Sequence, residues 1–219
     1  MSYILNLETA TKNCSVSLSK NGETISCKEI AEQGYSHAER LHVFIQTIVA
    51  EAGLSMTDLA AIAISQGPGS YTGLRIGVSA AKGLCYALQI PLIAIDTLTS
   101  LAHQVTFSDG LIVPMIDARR MEVYSAIFNS NKEIIREVQA EVLTPESFAT
   151  ISDTIYFIGD SNEKAKSVLT ESNFVFLEGI VYPSANEMSV LSFQKFQKND
   201  FVDVAYFEPY YLKDFMFAK

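Results

Sequence analysis

The sequence predicts an α/β protein built from two related β-β-β-α-β-α halves with mixed sheets. Three observations support this: short apolar runs typical of strands recur along the chain, stretches with helical spacing separate them, and three strand-like segments in succession occur twice. The 219 residues suffice for one large or two small domains, and 48% hydrophobic with 19% charged residues argues against a disordered chain. We expect a first half at residues 1–108 and a smaller second half at 109–219, whose final segment packs back on the first.

The first half begins with three strands in succession. Residues 3–7 and 14–18 have the composition of short strands, and the second leads into Asn21-Gly22, the preferred pair of a tight hairpin turn. A third strand is therefore expected over residues 24–30. The later elements are a helix from the capping box at Ser36 and Glu39 to Gly53, a buried strand at 59–65, a helix from Thr72 to about Gln89, a strand at 92–95 and a helix capped by Asp96 and Thr97.

The same order of elements begins again after Asp109-Gly110. Three strand-like segments follow one another, and turn residues separate them. The predicted elements are strands at 111–117, 121–128 and 133–138, a helix after Pro145, a strand at 154–158, a helix near 162–170, a strand at 174–177 and a helix from Ser184. No low-complexity linker divides the two halves.

Charge and cysteine content bear on the partners and the compartment. Sixteen Lys and Arg against 25 Asp and Glu give a net charge of −9, and both halves are acidic, so neither has the basic surface of a nucleic-acid-binding domain. Three cysteines without a C-x-x-C pair indicate neither a disulfide framework nor a zinc ribbon. Residues 1–7 lack the basic start of a signal peptide, and Lys82, Gln89 and Pro91 interrupt the long apolar stretch from Gly77. We expect a soluble cytoplasmic protein without a membrane partner.

A glycine-rich segment, GPGSYTGLR at 67–75, follows a predicted strand and opens a helix. Free backbone N–H groups and the helix dipole at such a point can bind an anion. The segment is not a Walker A loop, because Leu74-Arg75 follow the last glycine, and Ser70 lacks the frame of a nucleophile elbow. An anion site and a tight structural turn are both open interpretations. The candidate residues of an anion or vestigial nucleotide site, including two from the turn after the first strand, are Glu8, Thr9, Gly67, Gly69, Ser70 and Thr72.

Two helices carry more apolar surface than one sheet contact requires. Leu41, Ile45 and Ile48 belong to a seam with the spacing of helix pairing. In the second helix, small residues recur every four positions from Gly69 to Cys85, and apolar residues lie on other faces. These patterns fit either a helix buried between its sheet and a neighbouring helix, or a helix that also faces a partner protein.

The histidines offer no metal site. His37 and His42 are five positions apart, about 140° around a helix, so they cannot both face one ion, and His103 stands alone. A lone histidine more often serves as a structural hydrogen-bonding group. We assign no catalytic residue, no metal ligand and no cofactor.

A charged turn, Asp-Ala-Arg-Arg at 117–120, follows the first strand of the second half. It occupies the place that Glu8 to Thr11 occupy in the first half. An ion pair of Arg119 with Asp117 or Glu122 is the ordinary explanation, since surface pairs are common and weak.

Taken together, these segments resemble the TsaB (YeaZ) family of bacterial proteins nearly end to end. The matching pieces are YILNLETAT, CSVSL, SHAERL, ISQGPGSYTGLRIGVSAAKGLCYALQIPL, IDTLTSLA, IDARRMEVYSA, YPSANEM and EPYYLK, of which GPGSYTGLRIG is highly specific. The resemblance is strongest over residues 3–128, and between 139 and 180 it extends only to the order of elements.

The resemblance implies an actin/sugar-kinase/Hsp70-like (ASKHA) fold and a role in the synthesis of threonylcarbamoyladenosine (t6A) in tRNA. It implies a non-catalytic, activating subunit that forms a heterodimer with the catalytic paralogue TsaD, with the ATPase TsaE joining a larger complex. The tRNA would be reached only through TsaD, and the chain alone is expected to form a homodimer. Carried across by position, the candidate TsaD contacts are Leu41, Ile45, Ile48, Leu74, Val78 and Ala81.

Two positions depart from the pattern of this family. The usual Asp after the first strand is Glu8, whose longer carboxylate would misplace a metal ion, and His42 stands where an apolar residue is usual. The competing functions are an ATPase or kinase of the ASKHA type, suggested by Glu8, Thr9 and the glycine-rich turn, and a peptidase. The missing nucleophile elbow and zinc pair argue against the peptidase.

Overall fold

The computed structural model describes residues 1–31, 37–107 and 109–212 and contains two five-stranded sheets. The first sheet consists of β1 (Tyr3–Glu8), β2 (Asn13–Lys20), β3 (Glu23–Ala31), β4 (Leu59–Gly67) and β5 (Leu92–Asp96). In space the order is β3-β2-β1-β4-β5. β2 pairs antiparallel with both β1 and β3, β4 pairs in parallel with β1, and β5 pairs in parallel with β4.

The helices of the first half are α1 (His37–Glu51), α2 (Tyr71–Leu88) and α3 (Thr97–Ala102), with a short 3-10 helix at Met56–Asp58. The predicted hairpin turn is confirmed: Asn21 and Gly22 have φ angles of 52° and 88°, the left-handed pair that links two twisted antiparallel strands. Ser36, the first residue of the predicted capping box, lies outside the described residues.

The second sheet repeats the first. It consists of β6 (Leu111–Asp117), β7 (Glu122–Asn129), β8 (Ile134–Val142), β9 (Ile155–Ile158) and β10 (Phe174–Phe176), and its helices are α4 (Asn162–Lys166) and α5 (Ala185–Gln197). The spatial order β8-β7-β6-β9-β10 and the strand directions match those of the first sheet. The predicted succession of two three-strand units is therefore confirmed.

The helix predicted after Pro145 is wrong. Residues 145–150 form consecutive turns, in which hydrogen bonds such as Ala149 N to Glu146 O at 3.2 Å span three residues. Phe148 has a φ of 64°, and an L-residue in this left-handed conformation interrupts a right-handed helix. The helix predicted near 162–170 is shorter than expected, because α4 ends at Lys166.

The last helix of each half packs on the other half. Leu98 and Leu101 of α3 join the core cluster of Ile112 on β6. Met188 of α5 packs with Ile4 of β1, beneath the first sheet. The contacts of both helices therefore cross the chain midpoint, and they tie the two sheets together.

A buried polar network accompanies the apolar contact between α5 and the first sheet. The Asn6 side chain on β1 donates to Ser17 Oγ at 3.0 Å and accepts from Ser192 Oγ at 2.6 Å. Ser17 Oγ in turn donates to the Ala185 carbonyl at the start of α5 at 2.6 Å. Because buried polar groups are costly when unpaired, these bonds favour one position of α5 on the sheet.

The chain ends in a segment that returns to the first half. Val202 pairs with Leu92 at the edge of β5, and the Tyr210 N–H donates to the Gln66 carbonyl at 2.7 Å. Residues 201–212, here named the C-terminal strap, thus run along α2 from its end towards its start. No helix among the described residues is long and apolar enough to cross a bilayer.

Candidate functional site

The turn after β1 lies directly on the first turns of α2. The Thr9 hydroxyl donates to the Gly73 carbonyl at 2.8 Å, and the Ala10 carbonyl accepts from the Ser70 N–H at 2.7 Å. A Cβ placed on Gly69 would lie 2.3 Å from the Ala10 oxygen, and one on Gly73 would lie 2.1 Å from the Thr9 oxygen. The glycines of this segment are therefore needed for close backbone approach between the turn and the helix.

This contact uses two of the backbone N–H groups at the start of α2, those of Ser70 and Gly73. Ser70 caps α2 by accepting from the Gly73 N–H at 3.2 Å, and its own N–H is bonded to Ala10. Backbone carbonyl oxygens, which repel anions, thus face the start of the helix. Of the six candidate residues, Glu8, Thr9 and Gly67 are buried, Gly69 and Ser70 are half-buried, and Thr72 is exposed. The structure brings these residues together in a packed junction between the turn after β1 and α2. This packing favours the interpretation of the glycine-rich segment as a structural turn.

Glu8 is fully buried at the end of β1. One carboxylate oxygen accepts from the Ala10 N–H at 2.6 Å, and the other has no hydrogen-bond partner among the described residues. Burial raises the pKa of this carboxyl to about 7, and the nearby charge of Asp96 acts in the same direction, against the hydrogen bonds from Ala10 and Ser65. Burial thus disfavours the charged form of this carboxyl, which is the form that a cation would bind.

The histidines lie on different faces, as their spacing predicts. His37 is buried, and its Nε2 donates to the Thr11 carbonyl at 2.6 Å, whereas His42 is exposed. His103 bonds the Thr99 carbonyl of its own helix. Within the described ranges, no group of three or more His, Cys, Asp or Glu side chains has the arrangement of a metal site.

The candidate partner contacts of α1 and α2 face inward. The structure corrects the predicted set, because all six side chains lie in the apolar core of the first half with exposures of 4% or less: Leu41, Ile45, Ile48, Leu74, Val78 and Ala81. The stripe of small residues from Gly69 to Cys85 also faces inward, towards the turn after β1 and the sheet. A partner that contacts these helices must use their other faces.

The outward face of α2 is lined with small residues. Thr72, Ser79, Gly83 and Ala87 are exposed along it, and the exposed Arg75 lies beside Thr72 and Ser79. A Cβ on Gly83 would meet no atom of the described residues within 4 Å, so their packing does not require a glycine there. Spacing alone could not distinguish this stripe from the buried one, although a glycine inside a helix is a signal, since it lowers helix stability.

A large apolar side chain on α1 and an aromatic side chain on α2 are exposed. Val43 on α1 is 52% exposed, and Tyr86 on α2 is 76% exposed. The C-terminal strap is held to α2 by Lys82, whose ammonium donates to two strap carbonyls. Between α2 and the strap lies a groove of about 570 Å³, with Gly83 in its wall. Sequence analysis named none of these exposed residues.

The ion pair expected in the charged turn at 117–120, between Arg119 and Asp117 or Glu122, is not among the ion pairs of the described residues. Asp117 forms its ion pair with Lys164 of α4, not with Arg119. The Arg119 backbone N–H donates to the Asp117 carboxylate at 3.2 Å. The Asp117 backbone N–H donates to Asp160 at 2.8 Å, close to the junction of the two halves.

Comparison with known sequences finds relatives whose names refer to the threonylcarbamoyl modification of adenosine in tRNA. A family model described as TsaD, tRNA N6-adenosine threonylcarbamoyltransferase, matches residues 29–214. The chain is 32% identical over 221 residues to the tRNA threonylcarbamoyladenosine biosynthesis protein TsaB of Escherichia coli, covering 96% of this chain and 94% of that protein.

Comparison with solved structures agrees. YeaZ from Pseudomonas aeruginosa superposes with a TM-score of 0.81 at 28% identity, covering 97% of this chain and all of that one. The ethanolamine utilization protein EutJ from Carboxydothermus hydrogenoformans, with a TM-score of 0.50 at 11% identity, covers 86% of this chain and 89% of its own, and shares the fold only. The predicted ASKHA fold of two related halves is confirmed.

Proposed function

Because the chain belongs to the TsaB (YeaZ) family, we propose that it is the activating, non-catalytic subunit of tRNA t6A synthesis and that it binds and orders TsaD. Its relatives of similar length are named as t6A biosynthesis proteins, which supports a role in this synthesis. In this proposal TsaD carries the chemistry and holds the tRNA, TsaE joins the larger complex, and the assembly is cytoplasmic. Without TsaD the same surface pairs two copies of this chain.

The packed junction between the turn after β1 and α2 carries the non-catalytic part of the proposal. Thr9 and Ala10 occupy the start of α2 with their carbonyl oxygens, and Glu8 points into the protein with a raised pKa. A nucleotide phosphate at this place would have to displace the turn and meet a partly protonated acid. In this proposal the strand, glycine-rich turn and helix are arranged as in a phosphate-binding fold, but the backbone of Thr9 and Ala10 lies against the start of the helix.

The outward face of α2 carries the binding part of the proposal. Small exposed residues allow another helix to approach closely, and the open position at Gly83 leaves room for a partner side chain. Exposed Val43 on α1 and exposed Tyr86 on α2 supply further apolar and aromatic area, and aromatic residues are enriched at the centres of protein interfaces. We therefore replace the six inward-facing candidates with the outward face of α1 and α2 as the TsaD contact.

Gly83→Gln tests the surface directly. The added side chain has open space in the monomer and improves helix propensity, so the variant is expected to fold with wild-type or higher stability. Its side chain would obstruct a closely packed partner helix, and we expect its Kd for purified TsaD to rise at least tenfold, measured by calorimetry. Gly179→Gln is the matched control, because Gly179 has equally open surroundings on the second half. Wild-type affinity in Gly83→Gln would contradict the proposed surface.

Titration of the isolated chain with ATP and magnesium tests the competing ATPase function. We expect no heat of binding at micromolar protein concentration, because the start of α2 is occupied by Ala10 and Thr9. Saturable binding that Glu8→Ala abolishes would support a nucleotide-binding protein and refute the non-catalytic assignment.

A further inference from the structure

The turn between β6 and β7 holds two consecutive arginines in a conformation that disfavours them. Arg119 and Arg120 have φ angles of 71° and 51°, in the left-handed region where a Cβ is unfavourable. Another hairpin of this chain, between β2 and β3, also has two consecutive left-handed residues, and there they are Asn21 and Gly22, which tolerate that conformation best. The chain therefore uses the favourable pair in one hairpin and an unfavourable, doubly charged pair in the other.

Neighbouring groups hold this arginine turn in place. The Glu122 N–H donates to the Arg119 carbonyl, and the Ala118 N–H donates to the Glu122 carbonyl, both at 3.1 Å. Lys164 of α4 donates to the Arg120 carbonyl at 3.0 Å. Such bonds keep a strained backbone fixed, and strain that is maintained in this way is typical of sites with a function.

The two guanidinium groups are left available. Both arginines are exposed, and neither takes part in the ion pairs found among the described residues. The adjacent Asp117 carboxylate is engaged by Lys164. Burial raises the pKa of Asp160 while Lys12 and Lys164 oppose that rise, so Lys12 brings a further cation from the first half close to this turn.

Asp160, which accepts from the Asp117 N–H beside the arginine turn, is within electrostatic range of Lys12 in the first half. Lys12 belongs to the turn after β1, whose carbonyls bond His37 at the start of α1 and Ser70 at the start of α2. We expect a protein that covers the outward face of these helices near their N-terminal ends to reach the arginine turn as well.

We propose that Arg119 and Arg120 form a second contact for TsaD and bind carboxylates on its surface. This inference rests on the proposed function. A guanidinium group pairs with a carboxylate through two parallel hydrogen bonds, and arginine is enriched in protein interfaces. An RNA backbone is the less suitable occupant, because a chain of net charge −9 repels a polyanion at long range, whereas one or two carboxylates are held by local contacts.

The test combines Arg119→Asn with Arg120→Gly in the full chain, which installs the pair found at residues 21–22. The hairpin is kept and its strain is relieved, so the melting temperature is expected to rise by about 2 °C or more. The Kd for TsaD at low salt is expected to rise about tenfold, and its salt dependence is expected to weaken. Lys132→Asn is the matched control: it removes a cation at a left-handed position in the turn between β7 and β8, at the opposite end of the sheet, and should leave TsaD binding unchanged.

The outcomes separate the two proposals. If the wild-type chain does not bind TsaD, the proposed function fails. If the wild type binds and the double variant binds equally well, the arginine contact is refuted while the proposed function stands. Unchanged TsaD affinity with weaker tRNA binding by the assembled complex would refute it in favour of an RNA contact. A lower melting temperature in the double variant would refute the argument from strain.

Discussion

Replacing Glu8 with Gln should change how the stability of this protein depends on pH. Burial raises the pKa of Glu8 from its ordinary value of 4.5 to about 7. Between these values the folded protein holds a proton that the unfolded chain releases. Stability is therefore highest below pH 4.5, falls as the pH rises towards 7, and is constant above it with respect to this group.

The magnitude follows from the two pKa values. At about 1.4 kcal/mol per pH unit, the difference corresponds to about 3 kcal/mol of unfolding free energy lost between pH 4.5 and pH 8. Glutamine is uncharged and nearly isosteric with the protonated acid. We therefore expect Glu8→Gln to match the wild type near pH 4.5 and to be more stable by about 3 kcal/mol at pH 8.

Urea unfolding of both proteins at pH 4.5, 6 and 8 measures this difference. Other groups titrate in the same window: burial raises the pKa of Asp96 and lowers that of His103, with opposite effects on stability. The contribution of His103 cancels when the variant is compared with the wild type at each pH, whereas Asp96 interacts with Glu8, so the measured difference includes that coupling. Asp58→Asn is a control of opposite sign, because hydrogen bonds from Ser55 lower the pKa of that exposed carboxyl. A stability difference between Glu8→Gln and the wild type that does not vary with pH would refute the reasoning.

Three further substitutions test the packing. Leu41→Ala should lower the unfolding free energy by about 2–5 kcal/mol, because the fully buried side chain leaves a cavity; a smaller loss in thermal unfolding would mean that the helix is not packed as described. Gly73→Ala should destabilise the fold and displace the turn after β1, since the new Cβ meets the Thr9 carbonyl; unchanged amide chemical shifts in that turn would contradict this. Ser192→Ala should cost about 1–3 kcal/mol by leaving the buried Asn6 oxygen unpaired, and a neutral result in urea unfolding would show that another donor replaces the serine.

Local signals accounted for most of the fold. Apolar runs, the Asn21-Gly22 turn and Pro91 mark where strands and helices begin and end, because those preferences act over a few residues. The helix predicted after Pro145 is wrong for a local reason as well, because Phe148 adopts a left-handed conformation. The residue types around it give no signal of that conformation. The family could be recognised from the glycine-rich segment, whose glycines meet a structural requirement of close backbone approach.

The functional surface depended on contacts between residues far apart in the chain. A helical repeat of apolar residues shows that α1 and α2 each have a buried side, but it does not show what covers that side. Leu41 and Val78 therefore fit a partner interface by pattern, and the three-dimensional structure places them in the monomer core. Likewise, only the meeting of Ala10 with Ser70, 60 positions later, reveals that the helix start is filled. Periodicity specifies the elements, whereas burial is a property of their assembly, and it decides which residues are free to bind.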